Sequence, residues 1–128
     1  MKRWLRAVVP VAWMIVVAGC LTAPDNVRQR EAYWHGVLEE HAPVGTGKTE
    51  VMAVLRQRGL SVTEGTYRTA HPDGSETSEC RLPDQALSAI ERGAVRGLYV
   101  NWDIEITVCF DERDAVESHF VGAWNAGI

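Results

Sequence analysis

Residues Ala42-Pro43-Val44-Gly45-Thr46-Gly47-Lys48-Thr49 fit a relaxed phosphate-loop pattern: a small residue, four of any type, then Gly-Lys-Ser/Thr. In such a loop, backbone N–H groups cradle a phosphate and the Lys reaches it. The chemistry requires a buried strand before the loop and a helix after it. Val51, Val54 and Leu55 predict the helix. The strand is missing, because Val37-Leu38-Glu39-Glu40-His41-Ala42 reads as the end of another helix. No apolar strand ending in a metal-binding Asp follows. The stretch is therefore expected to be a break between two helices and not a nucleotide site. Gly45 would turn the chain, Thr46 would cap the second helix and Lys48 would be solvated in its first turn.

Other reactive side chains are equally sparse. A metal centre needs at least three convergent ligands. Of His35, His41, His71 and His119, the first two are six residues apart and point to different helical faces. All four are expected in solvent or at edges, with no metal bound. His119, Glu117 and Glu105 are candidates to meet on an exposed sheet face, as cross-strand polar pairs do. Asp103 and Glu105 alternate on one strand and share a face. Paired carboxylates can do acid–base work, but two acids on a wet face more often serve solubility. There is no G-x-S-x-G and no Cys with a supporting base, and the five serines after Cys20 sit in no catalytic motif. The sequence names no catalytic residue and implies no cofactor.

The chain start is more specific. Met1-Lys2-Arg3-Trp4-Leu5-Arg6 carries three positive charges and precedes an apolar run from Ala7 to Gly19, then Cys20. That is the order of a secretory signal. The run is short for a membrane span, which takes about twenty residues, and Pro10 interrupts it. Val17-Ala18-Gly19-Cys20 resembles the lipobox of bacterial lipoproteins. The resemblance implies cleavage before Cys20 and acylation of Cys20, giving a signal peptide over 1–19, a lipidated Cys20 with a short tether over 20–26, and one domain over 27–128. Each buried acyl methylene contributes about 0.8 kcal/mol, so two or more chains anchor stably. Leu21, where an Asp would favour the inner membrane, implies the outer membrane and the periplasmic side. An ordinary signal peptide, or an uncleaved anchor with an incidental Cys, is the alternative.

After Cys20 the chain has ten Lys and Arg against all seventeen acids, a net charge of −7. There is no basic block, and phosphate-backbone binding needs one, so nucleic acid is not an expected partner. Cys80 and Cys109 remain as an even pair in an exported chain and are expected to form one disulfide. Free or metal-binding thiols are the weaker alternative, since no C-x-x-C occurs.

These residues must be positioned by a small set of elements. Val27, Trp34, Val37 and Leu38 share one face of a first helix, Asp25 to His41, with Tyr33 at its edge and Arg28, Arg30, Glu39 and Glu40 mostly elsewhere. Thr22 to Asp25 supply its cap. A second helix runs over Gly47 to Arg58, with Gly59 as its C′ glycine. Leu60 to Arg68 reads as a strand or a bent pair around Gly65. His71-Pro72-Asp73-Gly74 marks a turn, Glu76 to Leu82 a strand, and Pro83 to Arg92 a short helix. Leu98 to Phe110 alternates apolar and polar residues over thirteen positions, predicting a strand with one buried face. Asp111 to Asp114 then turns, and Val116, Phe120 and Trp124 continue an apolar face on a last strand. Trp34, Trp102 and Trp124 are assigned to the core, with an exposed interface anchor as the alternative for Trp124. Cys109 falls on the polar face, so Cys80 must reach it from an adjacent strand or a covering loop. The expected fold is α+β, two N-terminal helices packed on a three- to four-stranded antiparallel sheet.

Two stretches resemble the small outer-membrane lipoproteins of the SmpA/OmlA (BamE-like) family, whose fold is shared with the β-lactamase inhibitor proteins. One is Gly45-Thr46 followed by Val51, Leu55 and Gly59. The other is Val108-x-Phe110-Asp111 followed by Val116. Asp114 replaces a glycine of the family hairpin, yet Asp tolerates a left-handed turn. None of the family's partner-binding residues is matched. The resemblance implies the fold and not membership of a barrel-assembly complex; the leading reading of the whole chain is a lipid-anchored envelope protein with a non-enzymatic binding or scaffold role toward another envelope protein or the cell wall. The alternatives are an inhibitor of a periplasmic or host enzyme, acting through Glu64 to Ser78, and a small envelope enzyme.

Overall fold

The computed structural model describes residues 24–65 and 80–125. Its elements are α1 (Asp25–His41), α2 (Lys48–Gln57), β1 (Val62–Glu64), β2 (Leu87–Arg96), β3 (Asn101–Phe110) and β4 (Val116–Asn125), with a 3-10 turn at Pro83–Gln85. The strands form one antiparallel sheet in the order β1-β2-β3-β4. The fold is thus α+β, with both helices N-terminal to the sheet. The lipobox, the His71–Gly74 turn and most of the Glu64–Ser78 segment lie outside the described residues.

The apolar stripe of α1 is buried as its spacing requires, at Val27, Trp34, Val37 and Leu38. Its start differs from expectation. No side chain caps it, Asp25 is already helical, and the Pro24 carbonyl accepts from the N–H groups of Val27 (3.0 Å) and Arg28 (3.2 Å). Gly47, not Thr46, holds the N-cap position of α2. The end of α2 is a Schellman motif. Gly59 has φ +83°, its N–H donates to Arg56 O (3.0 Å), and the Leu60 N–H donates to Leu55 O (3.2 Å).

Four sheet expectations are corrected. Pro83 to Arg92 is not a helix. Pro83 opens only a 3-10 turn, and Leu87 begins ten residues of strand. The spacing of Ala86, Leu87 and Ile90 fits a helix. The same segment also buries Leu87 and Ala89 with period two, and pairing on both sides decides it: Glu64 and Val108 flank Leu87. Cys80 to Leu82 is a bend and not strand. The long alternation is strand only from Asn101. Gly97 to Val100 is the turn joining β2 to β3, closed by Gly97 N–H to Val100 O (2.9 Å). On β4 the pairing passes from Cys109↔Ser118 to Phe110↔Val116, so Glu117 is an extra, bulged residue. A one-residue slip exchanges faces. Val116 therefore faces the helices, whereas Phe120 and Trp124 face away from them.

Ile104, Ile106, Val108 and Phe110 present the inner sheet face to Trp34, Leu38, Val51 and Leu55. Burying each such side chain contributes roughly 1.5–3 kcal/mol. The direction of α1 along the sheet follows from two contacts. Just past its end, the Gly45 N–H donates to Val116 O (2.9 Å), beside the start of β4 and the end of β3. Twelve residues before Ala42, Arg30 meets Glu91, which lies opposite Ile104, six residues back from Phe110. Helix and strand rises of about 1.5 and 3.4 Å per residue make these two paths agree at roughly 20 Å. The start of α1 therefore lies toward the β2–β3 turn.

Candidate functional site

The Ala42–Thr49 loop is built into the fold. The Gly45 N–H donates to Val116 O (2.9 Å), the Thr46 N–H to Pro43 O (3.1 Å) and the Lys48 N–H to Asp114 O (2.9 Å). Gly47 bridges Ala115, and Thr46 Oγ1 donates to Pro43 O (2.7 Å) instead of capping α2. The Gly45, Thr46 and Lys48 amides, which a phosphate would need, already have partners. Lys48 is not solvated as expected. Its side chain is only 16% exposed, with Nζ 3.7 Å from Glu64 Oε1 and 5.7 Å from the Phe110 ring centroid.

Among the described residues the candidate acids and histidines do not converge. Asp103 and Glu105 share the outer sheet face, but Asp103 Oδ1 accepts from the Gly93 N–H (2.8 Å) and so fixes the irregularity in β2. His119 faces the helices opposite Val108, with a buried and unpartnered Nδ1, so it does not meet Glu105. Glu117 sits in the bulge. His35 is exposed, and His41 lies 3.7 Å from Glu40. Among the described residues no three His, Cys, Asp or Glu side chains could hold a metal ion.

Cys80 and Cys109 form a disulfide, with Cα atoms 5.3 Å apart and a sequence separation of 29. Cys109 lies on the outer face, and Cys80 reaches it from the covering loop. The two half-cystines are buried with Ala86. Arg81 reinforces the clasp, donating to Glu112 Oε1 (2.6 Å) and Glu117 Oε1 (3.1 Å) across the β3–β4 turn. The Arg81 hydrogen bond holds the Glu112 carboxyl down at about 2.

Sequence reading missed one polar cluster. The Arg30 guanidinium makes a two-pronged bond to Glu91, both arms 2.6 Å, and Trp34 Nε1 donates to the same carboxylate at 3.1 Å. The Arg30 cation also stacks 4.3 Å from the Tyr33 ring centroid. The hydrogen bond to Glu91 raises the Arg30 pKa further, against an opposing effect of burial. Beside it, β1 stops at Val62 while β2 continues. The gap is a cleft of about 410 Å³ lined by Arg58, Ser61, Ile90, Glu91 and Arg92. Arg58 Nε is buried there without a partner. Because Arg30 engages Glu91, this cleft presents donors and no unengaged carboxylate. It suits a bound carboxylate better than acid–base chemistry.

The remaining candidate is the apolar surface. Phe120 is 37% and Trp124 44% exposed on the outer face of the edge strand β4, which corrects the assignment of Trp124 to the core. Trp34 is buried, and Trp102 is half-buried on the inner face. Leu98 and Tyr99 stand out at the β2–β3 turn, 96% and 78% exposed. Of the Glu64–Ser78 segment, expected to carry an inhibitory role, all but Glu64 and Gly65 lies outside the described residues. No helix among the described residues is long and apolar enough to cross a membrane. No family model matches the chain, and neither a curated protein nor a solved structure matches it.

Proposed function

We propose that this chain is a lipid-anchored protein of the bacterial outer membrane, facing the periplasm, and that it acts as a non-enzymatic binding module for another envelope protein. The observation that carries the binding role is the outer face of β4. There Phe120 and Trp124 are exposed on an edge strand with Gly122 between them, on the face away from the helices. Aromatic side chains of this kind are the usual anchors of protein interfaces. The anchor rests on Val17-Ala18-Gly19-Cys20, and the disulfide agrees with an oxidising compartment. The resemblance to the SmpA/OmlA lipoproteins points the same way, through Gly45-Thr46, Gly59 and the Phe110–Val116 hairpin.

Both parts can be tested in cells. A Cys20→Ser chain should lose its acyl mass and its tight membrane fractionation. If it is still processed and tightly bound, the anchor is wrong. For the binding face, a photo-crosslinking residue at 120 or 124 should yield one discrete protein adduct, absent when the same residue replaces Val44. The double change Phe120→Ala and Trp124→Ala should release that partner while leaving the melting temperature nearly unchanged. Retention of the partner by the double variant sinks the binding role.

A further inference from the structure

We propose that the β2–β3 turn is a second membrane contact: Leu98 and Tyr99 enter the headgroup layer of the same anionic bilayer that holds the acyl chains of Cys20. The inference rests on the lipid-anchor reading above and adds how the domain stands on its membrane.

Exposure is the first argument. Leu98 and Tyr99 are the two most exposed large apolar side chains of the described residues. They are held there by a closed turn. The Gly97 N–H donates to Val100 O (2.9 Å), and a Cβ on Gly97 would lie 2.5 Å from that oxygen. Only glycine fits at 97, so the fold displays the pair on a defined turn.

Charge is the second. From Arg92 to Trp102 the hairpin has Arg92 and Arg96 and no acid, in a chain whose net charge is −4. Both arginines are exposed. An aromatic and a leucine at the tip with cations a few residues behind is the arrangement that suits a headgroup layer. The apolar groups enter the interface while guanidinium groups meet lipid phosphates.

Position is the third. The start of α1 lies at the same end of the sheet as this turn, because α1 ends beside Val116 at the other. Only residues 20 to 24 separate the acylated Cys from Asp25, at most about 17 Å of extended chain. The interfacial layers together make up about 10–15 Å of bilayer thickness. The anchor and the tip are therefore confined to one side of the domain.

The test uses the full chain, processed in cells and reconstituted into vesicles of phosphatidylethanolamine and phosphatidylglycerol. A photo-crosslinking residue is placed at 98 or 99, with Val44 at the opposite end as control. Leu98 and Tyr99 make up the exposed tip, so folding should survive, and the intact Cys80–Cys109 disulfide reports it. Phospholipid adducts should form at 98 and 99, at least tenfold above position 44. Changing Arg92 and Arg96 to Gln, or omitting phosphatidylglycerol, should lower the yield by roughly tenfold. A lipid yield at 98 and 99 equal to that at 44 overturns the proposal. So does a protein adduct, formed in intact cells, that replaces the lipid one. The acyl mass on Cys20 is read from the same sample. An acylated Cys20 without a lipid adduct refutes the tip contact alone, whereas an unmodified Cys20 refutes the anchor reading itself.

Discussion

At the scale of the residue, Glu91 ties α1 to the sheet. Its carboxylate accepts from Arg30 twice and from Trp34 once, while its side chain is only 17% exposed. Glu91→Ala would leave the Trp34 N–H and a half-buried guanidinium unpaired, and should lower stability by about 2 kcal/mol. Urea denaturation measures it, and Tyr33→Ala, at the more exposed edge of the cluster, should cost less than half as much. Arg81 sets a pH dependence. The Glu112 carboxyl is held at about 2 against an ordinary value of 4.5, so its folded pKa is depressed. The stabilisation is complete above the ordinary value and is lost as pH falls toward 2. Stability should therefore decline across that acid range, and Arg81→Gln should flatten the decline, read as urea midpoint against pH. Neither cluster was legible in the sequence. Arg30 and Glu91 are 61 positions apart, Arg81 and Glu112 are 31, and nothing local marks a carboxylate that will find its cation across the sheet. Cys80 and Cys109 are legible because setting Cys20 apart as the expected acylation site leaves each of them one partner.

At the scale of the element, local punctuation was readable and strand phase was not. The positive φ at Gly59 (+83°) and at Asp114 (+57°) was expected, because one residue closes a helix and the other replaces a hairpin glycine. In β2 the spacing of Ala86, Leu87 and Ile90 fits a helix while Leu87 and Ala89 fit one strand face, and only pairing with β1 and β3 separates the two. β4 was placed with the wrong face inward beyond Val116. One bulged residue, Glu117, reverses the alternation, and its carboxylate accepts from Arg81, 36 positions away, which nothing local in the sequence marks. The glycines give a sharp test of element reasoning. Gly59→Ala forces a side chain into the left-handed region and should cost about 1–2 kcal/mol. Gly36 lies in the exposed middle of α1, where a Cβ would meet nothing within 4 Å, so Gly36→Ala should instead stabilise by about 0.5–1 kcal/mol. Thermal denaturation of the two variants reads the opposite signs.

At the scale of the whole molecule, the helices cover one sheet face and leave the other to smaller devices. On that outer face the Cys80 loop closes over Cys109, and the β4 end is left with Phe120 and Trp124 exposed. A domain of this size has little stability in reserve, so the clasp should matter globally. The bond joins residues 29 apart. Closing such a loop in the unfolded chain stabilises the fold by about 3–4 kcal/mol in the chain-entropy model. It also holds Arg81 against the β3–β4 turn, whose Asp114 carbonyl accepts from Lys48 at the start of α2. Loss of the bond should therefore reach the helices through the turn. Changing Cys80 and Cys109 together to Ser avoids a lone thiol. The double variant should unfold at a lower urea concentration, with an unfolding free energy smaller by about 3–4 kcal/mol. Hydrogen exchange should quicken in the β3–β4 turn and the first turn of α2 before it quickens in β2. If exchange in these two segments is unchanged while stability falls, the disulfide acts on the unfolded chain alone and the path from Cys80 to α2 is wrong.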